Sequence, residues 1–120
     1  MKLVIFTICL IFSETSFSQV DISPSYLDFG VIEIGNNDTQ SVYILNETEL
    51  PKVIEDISFF GSLEIFVDNY CPDVLAGGEE CEVEISANCD YFGLIDGSLD
   101  IEIQGEWPET VFVEAECSNF

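Results

Sequence analysis

Three stretches of this chain alternate apolar and polar, mostly acidic, residues with a period of two: Cys81-Glu-Val-Glu-Ile-Ser86, Ser98-Leu-Asp-Ile-Glu-Ile103 and Val111-Phe-Val-Glu-Ala-Glu-Cys117. Successive side chains of a strand point to opposite sides, so each stretch has one dry and one wet face. The same period runs from Val20 onward, and no stretch of ten or more residues carries a helical stripe. Strands are expected near 20–29, 39–45, 52–59, 63–68, 81–87, 97–103 and 109–117. Turn signals separate them at Gly35-Asn-Asn-Asp38, Asn46-Glu-Thr-Glu-Leu-Pro51, Gly77-Gly78, Asp96-Gly97 and Gly105. Pro24 interrupts the first, which suits an edge strand that switches sheets. Seven short strands in about 100 residues predict an all-β, seven-stranded antiparallel immunoglobulin-like β-sandwich.

The start of the chain reads differently. Met1-Lys2, the apolar run Leu3–Phe12 and the small-residue end Ser16-Phe-Ser18 have the layout of a secretory signal peptide. A run of about ten residues is too short for a membrane-spanning helix, which needs about 20. The expected division is therefore a leader over 1–18, containing Cys9, and one domain over 19–120, with no membrane span in the mature chain and a secreted or periplasmic location.

Removing the leader removes Lys2 and Glu14, which leaves Lys52 as the one cation against 23 carboxylates and no His. Nucleic acid is excluded as a direct partner, because phosphate contacts need Lys and Arg in number. An anionic membrane surface is excluded on the same ground. Such a charge favours a cationic partner, divalent ions or a salty medium.

Four cysteines remain: Cys71, Cys81, Cys89 and Cys117. An even count in a small exported domain reads as two disulfides. Structural zinc sites use paired C-x2-4-C spacing, whereas nine, seven and twenty-seven residues separate these cysteines. Three pairings are open.

The segment Ile22-Ser-Pro-Ser-Tyr-Leu-Asp-Phe-Gly30, followed by Gly35 and Ser41-Val-Tyr-Ile-Leu-Asn46, resembles the opening of the Ig-like domains named for abnormal-spindle and hydin proteins. Bacterial relatives of those domains occur in choice-of-anchor D surface proteins. The block Cys71-Pro-Asp-Val-Leu-Ala-Gly-Gly-Glu-Glu-Cys81-Glu-Val-Glu-Ile85 matches that family's cysteine, glycine turn, cysteine and alternating strand. Gly97–Ile103 and Val111–Ala115 fit its two closing strands. Where the family has a Phe-x-Pro element, this chain has Ser86-Ala-Asn-Cys89. The resemblance implies a sandwich of the major-sperm-protein or pilus-chaperone type that scaffolds or binds proteins, and it implies no catalytic residues.

Cys71 and Cys81 flank the Gly77-Gly78 turn, so their strands can approach. Cys89 shares parity with Val83 and Ile85, and Cys117 with Val113 and Ala115, so both point inward. Parity thus favours Cys71–Cys81 and Cys89–Cys117, the latter standing where the family's Pro element is missing.

The outward parity carries the candidate acidic binding face: Glu82 and Glu84, Asp100 and Glu102, Glu114 and Glu116. If the last two strands form a hairpin, Asp100 and Glu102 face the neighbourhood of Glu114 and Glu116. Like charges opposite one another across a ladder are destabilising, which bound cations, ionic strength or a basic partner would offset. Calcium needs six to eight converging oxygens. Asn36-Asn37-Asp38 and Asp90 with Asp96 are the candidates, and neither has EF-hand spacing.

Most aromatics, among them Tyr26, Phe29, Phe59, Phe60, Phe66, Tyr91 and Phe92, are expected to fill the core. Trp107, Phe112 and Tyr43 make the case for an exposed patch. Asn37-Asp-Thr39 and Asn46-Glu-Thr48 are glycosylation sequons. Catalysis has little to build on: without His there is no Ser–His or Cys–His pair, and a glycosidase-like carboxylate pair would still need a cleft. The expected function is a non-catalytic binding or structural module, without a cofactor, that holds a protein partner, a basic one for preference, by a sheet face or edge strand. The alternative is a secreted acidic protein that binds calcium.

Overall fold

A computed structural model describes residues 19–119. The expected leader and Cys9 lie outside the described residues. Nine strands form among them: β1 (Val20–Ser23), β2 (Tyr26–Glu33), β3 (Asn37–Asn46), β4 (Lys52–Gly61), β5 (Ile65–Asn69), β6 (Val74–Leu75), β7 (Glu80–Asn88), β8 (Gly93–Ile103) and β9 (Glu109–Ser118). They make a five-stranded sheet, order β2-β9-β8-β4-β6, and a four-stranded sheet, order β1-β3-β7-β5. One cluster of buried residues lies between them, almost wholly aliphatic. Val42, Ile44, Val83 and Ile85 come from the smaller sheet, and Leu99, Ile101, Val111 and Val113 from the larger. The period-two stretches put their apolar residues here, as alternation requires.

The seven expected strands become nine for two reasons. The first segment is two strands: β1 pairs with β3 in one sheet, and after Pro24 the chain enters the other sheet as β2. Proline has no N–H to donate to a ladder, so it falls at the crossing. The second addition is β6, two residues that leave the neighbourhood of β5 and β7 to pair with Lys52 and Val53 on β4. The sheets are also not wholly antiparallel. β2 runs parallel to β9, with Tyr26 beside Phe112 and Leu27 beside Val113.

Asp96-Gly97, expected as a turn, lies inside β8. Gly97 is there for space. A Cβ on Gly97 would run into the Phe59 ring, and one on the facing Gly61 would meet the Asp96 carbonyl. The two glycines let β4 and β8 approach where the ring is tucked between them.

Asn46, the last residue of β3, is fully buried. Its Nδ2 donates to the carbonyls of Leu50 (2.8 Å), Leu75 (2.9 Å) and Ala76 (3.2 Å), and its Oδ1 accepts from the Thr48 N–H (3.0 Å) and hydroxyl (2.7 Å). One amide thereby closes the β3–β4 loop and fixes the end of β6. Because this side chain is enclosed, the Asn46 sequon is closed in the folded domain, whereas Asn37 is exposed.

Two disulfides brace the sandwich. Cys71–Cys81 (Cα–Cα 5.0 Å) joins the segment after β5 to β7 within the smaller sheet, and the chain it closes contains β6. Cys89–Cys117 (Cα–Cα 5.4 Å) ties the end of β7 to β9 and so links the two sheets.

Candidate binding surface

Every candidate acidic residue lies on a strand whose buried neighbours face the core, so each carboxylate points away from it. They do not share one face. Glu82 and Glu84 are on β7, outside the smaller sheet. Asp100 and Glu102 on β8, with Glu114 and Glu116 on β9, are outside the larger one. Parity along a strand sets inward or outward, but it is silent on which of two sheets the strand joins.

The register also differs from the simple hairpin expectation. Asp100 faces Thr110, which donates its hydroxyl to the Asp100 carboxylate at 3.0 Å, and on the other side faces Ser58. Glu102 faces Asp56. Glu114 faces Asp96 on β8 and Asp28 on β2, and Glu116 lies between Leu94 and Val31. Like charges do meet across the ladder, at Glu114/Asp96 and Glu102/Asp56, but not between the residues first singled out.

On the smaller sheet, Ser41 donates a short hydrogen bond to Glu82, and Tyr70 donates to Glu84 at 3.5 Å. The charges of Glu84, and then of Asp68, raise the Tyr70 phenol above its ordinary pKa.

The larger sheet holds the feature that sequence reasoning missed. Four strands in register place Tyr26 (β2), Phe112 (β9), Ser98 (β8) and Phe60 (β4) in one row across its outer face. Tyr26, Phe60 and Phe112 are 47%, 61% and 58% exposed. They line an open groove of about 380 Å³, together with Gly97, Ser98, Asp96 and Glu114. The next row is Asp28, Glu114 and Asp96. The Tyr26 hydroxyl donates to Glu114 Oε1 at 2.6 Å. That hydrogen bond, aided by desolvation and the charges of Glu114 and Asp28, pushes the phenol pKa up to about 12. The ring is thus held at the junction of an aromatic row and an acidic one.

The expectation that aromatics fill the core is therefore corrected. Of those named for it, Phe29 is buried and Phe59 half-buried, while Tyr26, Phe60, Phe66, Tyr91 and Phe92 are exposed. Parity within Phe59-Phe60 carried the signal, since only one of two adjacent strand residues can face inward. Trp107, Phe112 and Tyr43 are exposed as expected, but they do not form one patch. Tyr43 is on β3 of the smaller sheet, Phe112 on β9 of the larger, and Trp107 in the turn before β9.

Among the described residues, no group of three or more His, Cys, Asp or Glu side chains is arranged to hold a metal ion, and no helix is long and apolar enough to cross a membrane. Asp38 instead accepts from the Thr39 N–H at 2.9 Å. The one ion pair among these residues joins Lys52 to Glu106 at 3.0 Å.

No family model matches the chain, and no curated protein does. Solved structures are similar to it. The ASH/PapD-like domain 7 of human CEP192 superposes with a TM-score of 0.65 at 9% identity, over 94% of both chains. The two share a fold. A Porphyromonas gingivalis W83 protein of unknown function gives 0.67 at 16% identity, over 95% of this chain and 53% of that one. The secreted serine protease VesC of Vibrio cholerae gives 0.62 at 19% identity. This chain spans 23% of VesC, so it corresponds to a minor part of that protein. At these identities the likeness is one of fold.

Proposed function

We propose that this PapD-like domain is an exported, non-catalytic binding module that holds a protein partner against the outer face of its larger sheet. The observation that carries the reading is the exposed aromatic row Tyr26–Phe112–Ser98–Phe60, on a molecule whose core is aliphatic. Aromatic side chains are enriched at protein interfaces, where they contribute large contact area with few rotatable bonds. Folding needs Phe29 and Phe59. It makes no use of Phe60 or Phe112, which stay in water.

The two disulfides and the leader-like start support export. The absence of His from the sequence supports a role other than acid–base catalysis. The free edges offer less than the face. Of the edge strands, β6 has two residues, β1 four and β5 five.

The test is affinity isolation with the folded, disulfide-bonded domain from the exported fraction of the source cells. A protein retained in stoichiometric amount by the wild type, and lost with Phe60→Ser/Phe112→Ser, is the expected result. Retention of nothing, or equal retention by the double variant, overturns the reading.

A further inference from the structure

The groove has a direction as well as a lining. Phe112 on β9 and Phe60 on β4 stand on either side of β8, so the gap between them runs along that strand over Ser98. Adjacent strands are about 4.8 Å apart, which sets the two flanking backbones about 10 Å from each other. Two ring–carbon contacts of about 3.5–4.0 Å occupy about 7–8 Å of such a gap. The backbone spacing therefore leaves room for one extended side chain between rings that stand on β9 and β4. The floor stays low because Ser98, between the two rings in the row, is small.

The two ends of the gap are acidic. Along the outward positions of β8 the order is Asp96, Ser98, Asp100. Asp96 is joined by Glu114 across the ladder, and Asp100 by the hydroxyl of Thr110. Among the described residues no cation serves the face, since Lys52 is engaged with Glu106. A neutral ligand laid here would take water from these carboxylates and return nothing. A cationic one would relieve the Glu114/Asp96 repulsion and place its charge against the rings, where the quadrupole attracts it.

We propose that the gap over Ser98 seats a lysine or arginine side chain of an extended basic segment of the partner, running along β8. The aliphatic stem of that residue passes between Phe60 and Phe112, and basic residues of the segment meet Asp96 with Glu114 at one end and Asp100 at the other. Asp96 and Asp100 are four residues apart on one strand, about 13 Å. This matches basic residues four apart in an extended peptide. The proposal rests on the binding-module reading and names the site and the partner's chemistry.

The probe is a fluorescein-labelled peptide alternating Lys and Thr, titrated by anisotropy at about 50 mM and 150 mM salt. The controls are the same peptide with every lysine acetylated and a neutral xylo-oligosaccharide of similar length. Expected are saturable binding of the lysine peptide and at least tenfold weaker binding of the acetylated one. Phe112→Ser and Phe60→Ser each lower affinity at least fivefold, with circular dichroism unchanged. Phe66→Ser, an exposed position on the opposite sheet, changes affinity less than twofold. Equal losses at Phe66 and Phe112 reveal diffuse charge attraction and overturn the proposal. So does tight binding of the acetylated peptide, or of the oligosaccharide in place of the lysine peptide. If no peptide binds while the cellular partner of the previous test still requires Phe60 and Phe112, the cationic inference falls and the binding-module reading stands. If that partner is also missing, both fall.

Discussion

Asn46 shows how one side chain can hold together parts of the chain that are distant in sequence. Its amide serves three carbonyls on two segments, Leu50 on one side and Leu75 and Ala76 on the other. Asn46→Ala should lower stability by about 3 kcal/mol in urea denaturation, because buried acceptors lose their donor as well as a contact. Asn46→Asp should be worse, since an oxygen then faces those carbonyls. Tyr26 gives the converse case, an exposed group whose partner sets its chemistry. Its phenol is pushed up to about 12 by the Glu114 hydrogen bond. A folded-state pKa above the unfolded value of about 10 adds stability that is complete below pH 10 and is lost as pH rises toward 12. Chemical denaturation between pH 9 and pH 12 should show this loss, and Tyr26→Phe should flatten it. In the sequence Asn46 opens a turn signal and a sequon. Its burial depends on β6 returning to the other sheet, which no local pattern announces.

At the level of elements, the two disulfides differ in what they join. Cys71–Cys81 closes a short loop within one sheet, and Cys89–Cys117 closes a longer one between sheets. Loop-closure entropy gives about 2.7 kcal/mol for the first and about 3.5 kcal/mol for the second. Cys89→Ala/Cys117→Ala should therefore lose more stability than Cys71→Ala/Cys81→Ala when the two double variants are melted side by side. The pairing was legible in advance because parity within a strand is a local property and the cores of β7 and β9 are strictly alternating. The same logic assigns six carboxylates to outward strand positions one by one. It failed on their grouping, because which sheet a strand joins, and how far its partner slides along it, depend on contacts between segments. The parallel pairing of β2 and β9 is of this non-local kind. So is the aromatic row, which takes one residue from each of four strands.

Across the whole molecule, self-repulsion is the prevailing electrostatic term. With 23 Asp and Glu and one Lys over residues 19–120, stability should rise steeply with ionic strength, since screening weakens repulsion between exposed like charges. Sodium chloride and calcium chloride at matched ionic strength should raise the melting midpoint alike. A further gain with calcium that EDTA reverses would point to a specific ion site. The same charge is what makes the larger sheet selective, because rings set among carboxylates favour a cation over a neutral or anionic ligand. What distinguishes a site from a merely acidic surface is localised binding on that face. The most direct measurement is amide chemical-shift mapping by NMR as the lysine–threonine peptide is added. The account predicts shifts concentrated at Tyr26, Phe60, Asp96–Asp100 and Phe112–Glu114, with Glu82 and Glu84 on the other sheet unmoved. Shifts spread over both sheets in proportion to their carboxylates would contradict it.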